Sequence, residues 1–235
     1  MRVLVLLALI AVAGCGRESL SDIDPRVADA SRPLVFLTHP TEPPRSFVDD
    51  TGTIVGTDVD LARRIAAKMG RKLMVEGVEF SEILPRLKAG TADFGISTIT
   101  ITEARLRDVD FSAPYATGGA SFMYKKSGKK PRMSHVASLR IGVEADTTQD
   151  LYLSRHGCDP MRFALLQEAI DALEKDELDA VFFDAPPLRD HAAKTGGRFV
   201  VTPLETRDGY GVAVDKRRPD VLAAANAVIA EGRAK

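Results

Sequence analysis

From about residue 33 the chain alternates short apolar runs, each closed by turn residues, with segments whose apolar residues recur at helical spacing. That alternation restricts the fold to α/β layers with a largely parallel sheet, because parallel strands need a long crossover between them. Strands are expected at 33–38, 73–78 and 92–96. Between the first two, Leu61, Ile65 and Met69 form one stripe of a helix expected over 58–69, with Gly70 placed to end it. Ser81 is a candidate N-cap for the next helix, with Pro85 in its first turn, where a missing N–H costs little. The pattern then repeats. Strands are expected at 120–125, 140–143 and 178–183, and helices at 149–156, closed by Gly157, and at 168–175.

The repetition has a weak echo in the residues themselves. Leu87-Lys88-Ala89-Gly90-Thr91-Ala92-Asp93 and Leu173-Glu174-Lys175-Asp176-Glu177-Leu178-Asp179 each lead into an apolar strand. Superposed without a gap, the two units put Thr98 and Asp184 at matching positions just past a strand's C-terminal end. Open α/β sheets bind ligands at those ends. Two lobes built this way would hold the two residues facing each other across a cleft. Pro114-Tyr115 with Gly118-Gly119, and Asp208-Gly209-Tyr210-Gly211, make two glycine-bearing crossings that suggest a hinge. The expected first lobe is 33–119 with 213–235, and the second is 120–212.

The N-terminus indicates an export route. Arg2 precedes an unbroken apolar run over 3–13, far short of the roughly 20 residues that span a bilayer, so it is expected to be a signal peptide. It ends in Val12-Ala13-Gly14-Cys15, which looks like the lipobox of bacterial lipoproteins. The expectation is a signal peptide over 1–14, a lipid on Cys15 and a polar tether over 15–32, holding the folded part at a bacterial membrane in the periplasm or at the cell surface. Cys158 is then left without a partner, as a quiet core residue. A net charge of −1 leaves no basic footprint for nucleic acid.

The most telling segment runs Ser97-Thr98-Ile99-Thr100-Ile101-Thr102-Glu103-Ala104-Arg105. Hydroxyl residues follow a strand and lead into a helix that Thr102 can cap, with Arg105 in the first turn. A cation is disfavoured there by the helix dipole, so the position makes sense where an anion sits, and a guanidinium matches a carboxylate in two parallel hydrogen bonds. The bland reading, a solvated arginine beside strand-edge hydroxyls, is about as good from composition alone. The second lobe offers Asp146-Thr147-Thr148-Gln149 before a helix, and Asp184 before Pro186-Pro187. Asp184 suits an ammonium group, or else serves as a helix N-cap. Arg105 and Asp184 together would read both charges of a zwitterion.

These motifs resemble the periplasmic amino-acid-binding proteins of ABC importers, the group related to the histidine and lysine-arginine-ornithine binding proteins. The resemblance covers roughly 33–232. It rests on Ile54-Val55-Gly56-Thr57-Asp58-Val59-Asp60-Leu61-Ala62, on 80–87, on 102–105 followed by Val109-Asp110-Phe111-Ser112-Ala113-Pro114-Tyr115, and on 141–149 and 178–184. It implies two α/β lobes closing on a ligand, delivered to an ABC permease. Arg105 would hold the α-carboxylate with Thr100 and the Thr147-Thr148 region. Thr98 and Ser97 would contact the amino end, Asp184 would pair with the ammonium, and Phe80 would be an apolar wall. The chain departs from the family at Glu42, where a stacking aromatic is usual, at Arg45 and Thr57, and at Asp146, where glycine is common. His39 stands where a binder of basic ligands would carry an acid, and Glu42 is a candidate to serve instead. The expected ligand is a small, polar or charged amino acid.

Two other functions compete. Cyclohexadienyl dehydratases resemble the same family, and an enzyme of that kind would need a general acid in the cleft, with Glu42 or Glu144 as candidates by placement. A ligand-sensing module not linked to transport is the other. No nucleophile–base pair stands out. His156 and Cys158 are two potential ligands and do not make a zinc site, so no catalytic residue, cofactor or metal is expected.

Overall fold

The computed structural model describes residues 24–29 and 31–233, so Cys15 and the expected signal peptide lie outside the described residues. Two five-stranded sheets form two lobes. The first sheet runs Leu73–Gly77, Leu34–Thr38, Phe94–Gly95, Ala213–Val214 and Asp110–Phe111; the second runs Met161–Phe163, Ile141–Glu144, Ala180–Asp184, Ala120–Lys125 and Phe199–Val201. The first three strands of each sheet are parallel, and the fourth is antiparallel to both of its neighbours.

Why these apolar runs are strands follows from where their side chains go. Leu34 and Phe36 join the cluster under the helices Thr57–Lys68 and Pro219–Arg233, whereas Val35 and Leu37 join the cluster under Phe80–Ala89. Ala180 and Phe182 face one core of the second lobe, Val181 and Phe183 the other. Alternation at period two with burial on both sides is the mark of a sheet covered on both faces. Cys158 is buried in the second lobe's core.

Several local differences from the sequence expectation have plain causes. The helix Phe80–Ala89 begins after the extended Glu79, so Ser81 lies inside it and is not its N-cap. Pro85 accordingly sits in the helix interior, beyond the first turn. The short antiparallel sheet of Thr41–Glu42, Ser46–Val48 and Ile54–Val55 was not legible, because each strand is too short to show alternation. The helix Pro219–Arg233 was not anticipated either; the helix Ala185–Lys194, expected only where Asp184 was read as an N-cap, is opened by the Pro186-Pro187 pair. Within the expected tether, Arg26 donates to Gly90 O and Ala92 O at 3.0 and 3.2 Å and pairs with Asp215 at 2.5 Å, so this stretch is fastened to the first lobe.

The chain crosses between lobes at Ala116–Gly118 and Asp208–Tyr210, which pair antiparallel as Gly118 with Asp208, Thr117 with Gly209 and Ala116 with Tyr210. There is no room at the crossing for a side chain. A Cβ on Gly118 would lie 2.6 Å from the Tyr210 hydroxyl, and one on Gly119 would lie 2.1 Å from Thr206 O.

The echo in the sequence is a repeated piece of structure. Asp93 N donates to Val35 O while the Asp93 carboxylate accepts from Val35 N at 2.7 Å; Asp179 N donates to Arg140 O while its carboxylate accepts from Arg140 N at 2.8 Å. Each aspartate thus clips the start of its strand to the neighbouring parallel strand. The surroundings differ. Asp93 is fully buried against the fully buried Arg218, whereas Asp179 and its partner Arg140 are 34% and 55% exposed. Breaking a buried ion pair leaves a desolvated charge behind, and an exposed pair leaves little. Asp93→Ala should therefore cost about 3–5 kcal/mol in urea unfolding, and Asp179→Ala only about 1 kcal/mol, mainly its backbone hydrogen bond.

Candidate functional site

The cleft is built where both sheets end at the hinge. Ile101 N donates to Gly209 O and Gly211 N donates to Ile99 O, which ties the segment carrying Thr98 and Thr100 to the return crossing. On the other lobe Asp184 is in register with Ala120, and Ala185 N donates to Gly119 O. Both lobes thus present their candidate residues next to the same pair of hinge strands.

All nine residues expected at the site line one inner cavity: Glu42, Phe80, Ser97, Thr98, Thr100, Arg105, Thr147, Thr148 and Asp184. His39, Glu144, Gln149 and Phe183 join them. The inner cavity is about 20 Å³ and leads, past Thr100, Arg105, Thr148 and Gln149, to an outer cleft of about 610 Å³. The inner space holds about one water, so an amino acid can enter only as the lobes part. They touch across the cleft at Thr100 and Thr148, whose hydroxyls lie 3.3 Å apart.

On the first lobe Thr102 caps the short helix Glu103–Leu106 by accepting from Arg105 N at 3.2 Å. The Arg105 guanidinium donates one N–H to Thr100 O at 2.9 Å and lies 5.6 Å over the Phe80 ring. Among the described residues no carboxylate lies within 4 Å of it. It is a positioned cation with donors to spare, and burial pulls its pKa down to about 10. Thr98 is held at φ +48, a strained setting for a β-branched residue, with its N–H donating to the Tyr115 hydroxyl at 3.2 Å and its hydroxyl to Glu42 at 3.1 Å. Glu42 is partly buried as a whole, but its carboxylate end turns inward.

On the second lobe Thr147 caps the helix Thr148–Arg155 by accepting from Asp150 N, and donates to Glu144 O at 2.7 Å. Asp146 just before it has φ +61, which explains why glycine is usual at that place and why aspartate is tolerated. Asp184 precedes its helix without a side-chain cap bond, so the N-cap reading of this residue fails; its carboxylate accepts instead from Gln149 Nε2 at 2.7 Å. Gln149 was within a motif singled out in the sequence, but its role as the clamp on Asp184 was not legible, since it depends on a contact spanning 35 residues. Glu144 accepts from Leu166 N at 3.0 Å.

The electrostatic balance is negative. Burial pushes Glu42 up to about 8, with Asp184 and Glu144 adding to the shift. Burial likewise raises Glu144 to about 7 and Asp184 to about 6. Three carboxylates therefore share a cleft with one lining cation.

Together these features define a two-lobed binding protein whose cleft presents one positioned guanidinium and three buried carboxylates. The chain belongs to the bacterial extracellular solute-binding proteins, family 3, whose model matches residues 34–235. It is 29% identical over 210 residues to the arginine-binding periplasmic protein of Mannheimia haemolytica, covering 86% of each chain. The arginine-bound form of a truncated ArgBP from T. maritima superposes with a TM-score of 0.79 at 33% identity, over 84% of this chain and 95% of that one. The ancestral amino acid-binding protein AncCDT-1, a precursor of cyclohexadienyl dehydratase, superposes with a TM-score of 0.77 at 27% identity, over 86% and 89%. The relatives named here are binding proteins and not enzymes.

The raised carboxylates give a pH dependence of known sign. Each acid has a folded pKa above its ordinary value of 3.8 or 4.5, so the folded state holds more protons than the unfolded one between about pH 4 and 8. Their contribution to stability is complete at low pH and is lost as the pH rises through about 6 to 8. Ion-paired aspartates such as Asp24, held down at about 2 by Arg26, act in the opposite sense but only in more acid solution. The ligand-free protein should melt several degrees lower at pH 8 than at pH 5, and Glu42→Gln should flatten that slope and raise the melting temperature at pH 8. A differential scanning calorimetry series over this range checks both.

Proposed function

We propose that this protein captures an L-amino acid with a cationic side chain and hands it to an ABC importer, by closing two lobes on it. The observation that carries the reading is the charge inventory of the cleft. The α-carboxylate goes to Arg105, supported by Thr100, Thr147 and Thr148. The α-ammonium goes to Asp184, with Ser97 and Thr98 beside it. That leaves Glu42 and Glu144 without a counter-charge, in a setting that already makes their ionisation costly. A second positive charge on the ligand offsets that cost, a neutral side chain does not, and an acidic one adds to it. Phe80 forms the apolar wall for the aliphatic stem. The arginine-binding relatives support the same ligand class.

Capture follows a simple order. The open lobes expose Arg105, the carboxylate docks there, and closure brings Thr147 and Thr148 to the carboxylate and Asp184, held by Gln149, to the amino end. The ligand favours the closed form by the contacts it makes only there. A lipid on Cys15 would keep the receptor beside the membrane that holds the permease.

Titration calorimetry on purified protein, refolded to remove carried-over solute, tests the ligand class. L-arginine, L-lysine or L-ornithine should bind, and L-glutamate should not; a preference for acidic amino acids would overturn the reading. Arg105→Ala should abolish binding of every carboxylate ligand, a loss of at least about 100-fold for a charge-assisted bidentate contact. Asp184→Asn should weaken amino acids while sparing their des-amino analogues. Cys15→Ser should move the protein from the membrane fraction to the soluble envelope fraction, read by fractionation and by loss of fatty-acid labelling.

A further inference from the structure

Thr98 lines the inner cavity with a backbone that it does not adopt unaided. A β-branched residue at positive φ persists only where its surroundings impose the setting. Here they are two side chains from two other elements. The Thr98 N–H donates to the Tyr115 hydroxyl at 3.2 Å, and that hydroxyl donates onward to Asp58 Oδ2 at 3.3 Å. The Arg45 guanidinium stands 3.9 Å from the other oxygen of the same carboxylate. Tyr115 is well anchored. Its ring packs against the core beneath the helices Thr57–Lys68 and Pro219–Arg233, and its own N–H donates to Tyr210 O on the return crossing at 2.9 Å.

The helix start alone gives no account of Asp58. An acid in the first turn of Thr57–Lys68 suits the helix dipole, but an exposed carboxylate would serve that purpose. Asp58 is instead 1% exposed, and burial raises its pKa to about 6 in spite of Arg45 and the Tyr115 hydroxyl. Burying an acid at that cost calls for a partner that needs it. At the other end of the line the Thr98 hydroxyl donates to Glu42 at 3.1 Å. The bonds therefore run from Asp58 through Tyr115 and Thr98 to Glu42, from behind the wall of the cleft into it. We infer that Asp58 and Tyr115, which do not line the cavity, are positioning residues for ligand capture: they hold Thr98 in its left-handed conformation and so aim its hydroxyl at Glu42. The inference rests on the amino-acid reading above and adds to it the part that keeps the amino-end wall in shape. Without the Tyr115 hydroxyl, Thr98 relaxes to negative φ, its hydroxyl leaves Glu42, and the wall formed by Ser97 and Thr98 shifts.

A double-mutant cycle on the full protein, read by titration calorimetry with L-arginine, tests this. Tyr115→Phe keeps the ring in the core and should weaken binding about 3- to 10-fold, the range for one lost hydrogen bond. Thr98→Gly should weaken it by a similar factor, since the hydroxyl is gone. Glycine takes positive φ without help and has nothing to aim, so adding Tyr115→Phe to Thr98→Gly should cost less than about twofold more. Losses that simply multiply would overturn the inference, because a merely structural Tyr115 has no reason to spare one Thr98 variant. Asp58→Ala should match Tyr115→Phe, and Asp58→Asn, whose amide oxygen still accepts from the hydroxyl, should recover most of that loss. Melting curves of each variant separate affinity from folding. Tyr115→Phe that melts lower yet binds L-arginine as the wild type does would assign the line of bonds to stability alone and sink the inference. Failure of the wild type to bind any amino acid would sink the amino-acid reading and the inference with it.

Discussion

The pairing of Ala116–Gly118 with Asp208–Tyr210 is the constraint on which the rest of the molecule depends. It is a short antiparallel ladder outside both large sheets, yet it sets the distance between them, since they share no strand. The residues of the cleft hang directly from it: Thr100 bridges to Tyr210, and Asp184 is one residue from the bond to Gly119. A change in twist there moves both walls of the cleft at once. This is why glycine is needed where the strands cross: any side chain would push apart groups that must meet across a cavity with room for about one water.

The cleft itself is held in an electrostatically uncomfortable state. Its acids are buried, near one another, and short of cations. Arg45, with its guanidinium 3.9 Å from Asp58 and 5.9 Å over the Tyr210 ring, eases the burial of Asp184 only in part and does not line the cavity. Elsewhere the protein pairs its buried charges thoroughly: Asp93, Asp215 and Arg218 form a network with Arg26, Arg32, Arg217 and Asp220. The contrast within one chain separates charges arranged for stability from charges arranged for recognition.

Much of this was legible in the sequence, for physical reasons that can be named. Apolar runs in a sheet covered on both faces are continuous, so the central strands stand out. Thr102 and Thr147 are caps, a local signal that needs no tertiary contact. Matching Thr98 with Asp184 worked because the two lobes repeat one helix–loop–strand unit down to the clip made by Asp93 and Asp179. What was hidden depends on distance along the chain. Gln149 on Asp184 and the unpaired nitrogen of His39 are products of packing between segments tens of residues apart. Helix boundaries slipped where a proline or a serine offered a plausible start that the neighbouring backbone did not use, as at Ser81 and Pro85.

The strand order carries a consequence for how the chain acquires its shape. The second sheet is assembled from one continuous stretch, whereas the first needs Ala213–Val214 and the helix Pro219–Arg233, which are made last. A chain emerging from its N-terminus can finish the second lobe while the first still waits for its fourth strand, with Phe36, Phe94 and Ile96 uncovered on that side. Closing so long a loop slows folding more than it costs stability. During that wait the half-built lobe exposes an apolar sheet face, which makes the first lobe, and not the recognition cleft, the part of the molecule most in need of a chaperone.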